Sequence, residues 1–479
     1  MNCRGRTCIR FSCPCCRRRG LRPPSPSWKP FTALCAAVRN TGECAMSDFV
    51  WNDICSRNDT CGLTGAAAFF GGIPGAGVLV NGPVWCYYYA LRYLEHADMA
   101  MPQRMSVSQP DNNAVVFGAE KFLLETLRQM QQDGFHPDLL LVENSCSMSL
   151  IGDDLQGIIQ KAALPFPVVT MDSGGLGGGF AEGYAKASLA LLEQSHLEKL
   201  PVRRGCINVL GLTPFYYNGQ ADAKEILRLL ADCGYQVNAV PGCGSGAASL
   251  KELSRAELNV VIHAELGMPL ARALQDRFGT PYLCAGAPYG IEGTLAWLQK
   301  IRNALPCTMD EPLREARETL AWLTDWSNEL SLNWGSPWFE SVVVSAPGTT
   351  AVCLADTVRM EWLDTGKLVV QCQNDVTLYG LHSSQADTEL IAGRDDARAA
   401  QMFRYLDNAL LLGSSNESAL TDRRRNRIAV CNIAFPVKDE ALLVSVPFCG
   451  LQGARHMAQR IWNAYIQGIL RQDGTCGSI

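Results

Sequence analysis

Three cysteines stand where a soft metal can be held. Residues 78–80 (Val-Leu-Val) read as a strand, and Cys86 follows it. Residues 139–142 are a continuous apolar run, as expected of a parallel strand buried on both faces, and Cys146 follows it. Cys61 opens a stretch, 60–90, that carries no charged residue. In open α/β sheets ligands sit outside the carboxyl ends of the strands, so these thiols can converge on one crevice. Thiolates suit zinc or an iron–sulfur cluster. Three is one short of the usual four, which leaves the fourth position to another chain, an oxygen ligand or an open site. The separations, 25 and then 60 residues, match no zinc finger, and no CxxC pair supports one. The same residues also read as three structural thiols.

The elements that must position them alternate. The uncharged stretch contains Gly62, Gly65, Gly71, Gly72, Pro74, Gly75, Gly77, Gly82 and Pro83, a density that breaks a continuous helix and predicts a buried, glycine-rich loop system. A helical period over 117–130 precedes the strand at 139–142. A second helix is expected near Gly152-Asp153-Asp154, where carboxylates suit a positive helix N-terminus. Strands at 167–170, 206–210, 236–240 and 258–262 alternate with helices at 184–192, 222–232 and 270–278. A long amphipathic helix, 311–329, leads to strands at 341–344, 368–371, 409–412 and 428–431 and a final helix at 455–470. The pattern is α/β with parallel sheets. It divides into an α/β block at 49–200 that carries the cysteines, a second at 203–305, a bridging helix within 306–334 and a third block at 335–479.

Composition narrows the classes. The chain has 479 residues, 47% hydrophobic and 19% charged, a net charge of −5 and 21 cysteines. Mild acidity leaves no basic footprint for nucleic acid, and the glycine-broken uncharged stretch argues against a membrane span. Seven cysteines fall in the first 46 residues, with nine basic residues and one acid. Residues 1–48 are therefore expected to be a basic, Cys- and Pro-rich disordered tail, read as upstream sequence with Met46 as the start of the protein proper. The remaining cysteines, scattered through an acidic chain, read as reduced thiols of a cytoplasmic protein. The run Gly174-Gly175-Leu176-Gly177-Gly178-Gly179 lacks the Lys-Ser/Thr of a phosphate loop and reads as a loop close to the metal or a partner. Asp153 and Asp154 read as helix caps. Cys449 and Cys243 read as buried or turn cysteines, and the six histidines form no HExxH and no close pair.

The first block resembles component 1 of the nitrogenase family, the group that includes the molybdenum–iron protein subunits, their cofactor-assembly scaffolds and light-independent protochlorophyllide reductase. The segment from Cys146 through Gly152-Asp153-Asp154-Leu155 matches the family's cysteine, five residues, Gly-Asp-Asp pattern. Residues 78–86 resemble its second motif, with Asn81 where a histidine usually precedes glycine. Cys61 stands at the first cluster cysteine, and Phe117-Gly118-Ala119 is similar to the family's Phe-Gly-Gly. Weaker similarity continues through Arg277-Phe278-Gly279, Pro288-Tyr289-Gly290-Ile291, Leu412-Gly413-Ser414 and Ala434-Phe435-Pro436-Val437.

The resemblance implies three Rossmann-like domains with parallel sheets flanked by helices, and a cluster site between domains and subunits. It implies that Cys61, Cys86 and Cys146 ligate an iron–sulfur cluster, [4Fe-4S] or larger and P-cluster-like. It also implies a hetero-oligomer with a homologous second component 1 subunit, an ATP-hydrolysing iron protein as reductase, and anaerobic electron transfer. No cysteine lies near Ala271, where the catalytic subunit of nitrogenase binds its iron–molybdenum cofactor, and Pro447-Phe448-Cys449-Gly450 stands in place of its cofactor histidine. The chain thus looks more like a β-type than an α-type subunit: an oxidoreductase component, with a cofactor-assembly scaffold and a non-catalytic association subunit as the other two readings.

Overall fold

The computed structural model describes residues 60–472 apart from 112, 115–117, 174–177, 384–388, 392–395 and 424. The tail, Phe117 and the middle of the glycine run lie outside the described residues. All the described residues fall in one compact unit.

Three sheets organise it. The first has the order β2-β1-β3-β4, from β1 (Ala76–Asn81), β2 (Met105–Val107), β3 (Leu139–Asn144) and β4 (Val168–Asp172). The second has the order β6-β5-β7-β8, from β5 (Cys206–Leu210), β6 (Gln236–Ala239), β7 (Leu258–Val261) and β8 (Tyr282–Cys284). The third has the order β11-β10-β9-β12-β13, from β9 (Phe339–Ala346), β10 (Thr365–Cys372), β11 (Glu389–Ile391), β12 (Ala409–Gly413) and β13 (Ile428–Asn432). Every pairing among these strands is parallel. The expected α/β class, parallel sheets flanked by helices, is what the chain adopts. The strands the periodicity misses, β2, β8 and β11, have three residues each, too few to show any period.

The helices that matter for the site are α1 (Gly62–Gly71), α2 (Val84–Leu94), α3 (Glu120–Gln132), α4 (Cys146–Ile151), α5 (Leu155–Ala162) and α6 (Phe180–Gln194). Around the other sheets lie α7 (Gly219–Asp232), α8 (Ala264–Phe278), α9 (Ile291–Ala304), α10 (Asp310–Trp334), α11 (Gly348–Thr357) and α12 (Gly450–Gln472). The second and third sheets share one core, in which Val260, Leu298, Val344 and Leu410 are fully enclosed.

The uncharged stretch corrects the sequence expectation. It is not a loop system: α1 is a helix buried at all ten residues, followed by β1 and the start of α2. Its glycines admit neighbouring backbone. A Cβ on Gly65 would sit 2.8 Å from the Tyr184 amide nitrogen, and one on Gly183 would sit 2.5 Å from Gly62 Cα. The α1–α6 crossing is therefore a backbone-to-backbone contact, and a charge-free helix is what such enclosure requires. Asp154 caps a helix as expected, accepting the Gly157 N–H at 3.0 Å to start α5; Asp153 instead ties down the segment ahead of α3, accepting the Ala119 N–H at 2.6 Å.

Gly65→Ala is expected to destabilise the chain by about 1–3 kcal/mol, because backbone on both sides of the crossing must move. Gly468→Ala, in α12 with nothing within 4 Å of the new methyl, should instead stabilise by roughly 0.5–1 kcal/mol. Urea midpoints of the two variants against the parent test the contrast.

Candidate metal centre

β1 and β3 lie side by side in register from Ala76↔Leu139 to Asn81↔Asn144. A rail of polar side chains crosses the carboxyl end of the whole sheet. Just past β2, the Ser108 hydroxyl donates to Asn81 Oδ1 at 2.7 Å; Asn81 Nδ2 donates to Asn144 Oδ1 at 2.8 Å. Asn144 Nδ2 then donates to Asp172 Oδ1 on β4 at 2.7 Å. The same Asp172 oxygen receives the Ser149 hydroxyl of α4 at 3.1 Å, and the Gly82 N–H donates to Ser108 Oγ at 3.2 Å. Asn81, the residue that departs from the family's histidine, is thus the central link of this rail, fully buried.

Two cysteines leave the sheet from these strand ends. Beyond Asn81, Pro83 caps α2 and Cys86 lies in its first turn, its N–H donating to the Pro83 carbonyl at 3.0 Å. Beyond Asn144, Ser145 caps α4, its N–H donating to the Asn81 carbonyl at 2.9 Å, and Cys146 is the first helical residue. The pattern placed Cys146 just past the strand, and there it opens a short helix. Cys61 arrives from the other side, at the N-cap of α1, bridged to Gly179, while the Gly62 N–H donates to the Gly178 carbonyl at 3.0 Å. The described end of the glycine run is what seats it. All three cysteines sit at helix N-termini.

The electrostatics join them. The Cys86 thiol is pushed up to about 11, first by burial and then by the charges of Cys61, Cys146 and Glu143. Among the described residues no basic group appears among the charges acting on Cys86. Cys61 is exposed, while Cys86 and Cys146 are half-buried. Among the described residues no group of three or more His, Cys, Asp or Glu is placed to hold a metal ion by itself. Soft thiol donors beside buried backbone are the donor chemistry that an iron–sulfur group takes.

Glu143, unremarked in the periodicity, ends the apolar run of β3. It is fully buried, accepts the Ser173 hydroxyl, and leaves Oε1 without a partner. Burial lifts it to about 8, with the Ser173 bond pulling the other way. Its signal in the sequence is a carboxylate inside a strand otherwise read as dry. Around the thiols the surface is apolar: Trp85 is 62% exposed, Tyr89 67% and Leu150 76%. Among the described residues no helix is long and apolar enough to cross a membrane.

A three-sheet parallel α/β unit carrying thiols at the carboxyl ends of its first sheet defines the class. The chain belongs to the nitrogenase component 1 type oxidoreductases, whose family model matches residues 61–466. It is similar to the B-subunit of light-independent protochlorophyllide reductase from Leptolyngbya boryana, 23% identical over 381 residues, covering 76% of this chain and 74% of that protein. The corresponding B-subunit from a Synechococcus species is 24% identical over 385 residues, with the same coverage. In fold it is similar to the solved structure of nitrogenase Cp1 at pH 6.5, with a TM-score of 0.69 at 17% identity, over 86% of this chain and 93% of that one.

Glu143 makes a pH prediction for the metal-free chain. Its carboxyl is raised when folded, so between about pH 4.5 and 8 the native state keeps a proton that the unfolded state has released. That contribution to stability is complete at low pH and is lost as pH rises through this window. Glu143→Gln removes the dependence. Its advantage over the parent in urea midpoint should grow between pH 4.5 and 8 and level off above. An advantage that does not change with pH would show that the carboxyl is not held protonated.

Proposed function

We propose that this chain is a nitrogenase-like component 1 subunit, of β rather than α type, in which Cys61, Cys86 and Cys146 hold an iron–sulfur cluster with a homologous partner subunit. Electrons would come from an ATP-dependent iron protein and pass to a reducible substrate. The observation that carries the reading is the placing of Cys86 and Cys146 just past the paired ends of β1 and β3, with Cys61 at the N-cap of α1 acting on Cys86. The apolar rim of Trp85, Tyr89 and Leu150 supports a second subunit closing over the site, since large exposed apolar side chains clustered on one face mark an interaction surface. The similarity to the B-subunits of a reductase favours the β-type assignment. So does Ala271, enclosed in α8 with no thiol at the position where the resemblance puts a cofactor cysteine. Cys449 is equally committed, its N–H and that of Phe448 donating to Asp222 at 3.1 and 2.6 Å.

When bound, the cluster supplies one-electron chemistry. The protein's part is positional. The rail from Ser108 to Asp172 locks the strand ends from which α2 and α4 project two thiols. The α1–α6 backbone contact fixes the third. The charge-free interior of α1 and β1 keeps water from the buried side, and low polarity there shifts potential. Glu143, held protonated by burial, adds no full negative charge beside the thiolates at neutral pH.

Anaerobically prepared chain, with its partner, should carry iron and acid-labile sulfide and give an iron–sulfur electron paramagnetic resonance signal on reduction. Cys86→Ser should remove most of the iron while leaving circular dichroism unchanged. A triple Cys61/Cys86/Cys146→Ser variant that keeps iron and signal at the parent level would sink the proposal.

A further inference from the structure

The loop that joins α9 to α10, residues 305–309, is fastened to the end of α7 at two points. The Tyr235 hydroxyl donates to the Leu305 carbonyl, and the Thr308 hydroxyl donates to the Cys233 carbonyl at 3.3 Å. Met309, the next residue, is buried in the core shared by the second and third sheets. Cys307 lies between these fastenings, and Cys233 carries one of them. Neither backbone is free to drift. Cys233 closes α7, its N–H donating to the Leu229 carbonyl at 3.2 Å. Gly234 then turns the chain with positive φ, and the Tyr235 N–H donates to the Leu230 carbonyl at 3.1 Å. Pro306 stands immediately before Cys307, its ring fixing one backbone dihedral.

This docking brings two thiols together. The Cys307 thiol is hydrogen-bonded to the Cys233 thiol and to the Tyr235 hydroxyl. Both sulfurs belong to one apolar core, Cys233 as an enclosed member at 2% exposure and Cys307 packed against it from the half-buried margin. Burial, and then the neighbouring Cys307 thiol, push the Cys233 thiol up, so it keeps its proton at neutral pH. Apolar side chains would fill the same space. Two thiols in contact add a reaction that packing does not need: the half-buried sulfur can meet an oxidant from solvent, and the enclosed one stands behind it.

We propose that Cys233 and Cys307 are a reversible oxidation site, separate from Cys61, Cys86 and Cys146, that closes to a disulfide on exposure to hydrogen peroxide. The Cys307 sulfur attacks the peroxide. An S–O bond forms, the O–O bond breaks, and the released oxygen leaves as water with the thiol proton, giving a sulfenic acid. The Cys233 sulfur then attacks the Cys307 sulfur. An S–S bond forms, the S–O bond breaks, and the hydroxyl leaves as water with the Cys233 proton. Two electrons pass from the pair of sulfurs to one peroxide, and a dithiol reductant returns them. The bond pins the α9–α10 loop to α7, whose Arg228 already pairs with Glu315 of α10 at 2.9 Å. A cross-link that closes a long loop restricts the unfolded chain, so oxidation stabilises the fold.

The test uses the full chain, reduced with dithiothreitol, desalted and exposed to one equivalent of hydrogen peroxide. Remaining thiols are alkylated, and tryptic peptides are mapped by mass spectrometry without reductant. Residues 303–314, which hold Cys307 alone, should appear joined to residues 229–251, which hold Cys233 and Cys243. The link should vanish in Cys233→Ser and in Cys307→Ser, persist in Cys243→Ser, and open with dithiothreitol. The urea midpoint of the parent should rise on oxidation and return on reduction, while that of Cys307→Ser, altered only at the half-buried margin, should not rise. Separate alkylation of both thiols after peroxide, conversion of Cys307 to a sulfinic acid, or a link from Cys307 to Cys243 would overturn the proposal. None of these readouts depends on iron, so failure here is distinct from failure of the cluster reading.

Discussion

The register between β1 and β3, with Asn81 opposite Asn144, is the constraint from which the thiol site follows. Both strands end at this pair, and within five residues each chain segment has turned into a helix bearing a cysteine. A slip of one residue would turn the side chains of one strand to its opposite face and separate the two thiols. Apolar burial alone does not choose the register, because β1 and β3 are buried along their full length on both faces. The hydrogen bonds from Ser108 through Asn81 and Asn144 to Asp172 do. Polar groups buried among apolar ones specify position because only one alignment satisfies them.

The third thiol depends on a different force. Cys61 belongs to no strand end; it is set by how closely α1 can approach α6. Gly62, Gly65 and Gly183 let the two helix backbones touch, and the contact reaches the described end of the glycine run at Gly178 and Gly179. Together these constraints concentrate acidic groups. Burial disfavours the Cys86 thiolate and the ionised Glu143 alike, so in the metal-free chain both groups keep their protons at neutral pH.

The carboxyl ends of the parallel strands differ in kind: those of the first sheet lead to Cys86 and Cys146, while those of the second and third sheets meet an aromatic-lined cavity. α2 runs between them, carrying Cys86 at its start and Tyr93 near its end. The architecture persists at 17% identity to a solved nitrogenase because sheets buried on both faces need only apolar residues of suitable volume.

Much of the frame was legible in the residues themselves. The runs at 139–142 and 409–412 are continuous and apolar because their strands have no solvent face, those at 206–210 and 258–262 are broken only by Asn208 and Asn259, and Gly134 and Gly234 mark the chain reversals after α3 and α7 with positive φ. The cysteine motif around Cys146 was legible because its Gly-Asp-Asp serves local helix geometry: Gly152 takes the left-handed conformation that ends α4, and Asp154 caps α5. The helical nature of α1 was not legible, since glycine is a poor helix former and only contact with α6 repays its use. Nor were Glu143, or the meeting of Cys233 with Cys307, far apart in the chain and brought together only by the docking of the α9–α10 loop on the end of α7. Local spacing determined the strands, the caps and the identity of the donor atoms. Which donors share a field and which are left without a partner depends on long-range packing, which no local period encodes.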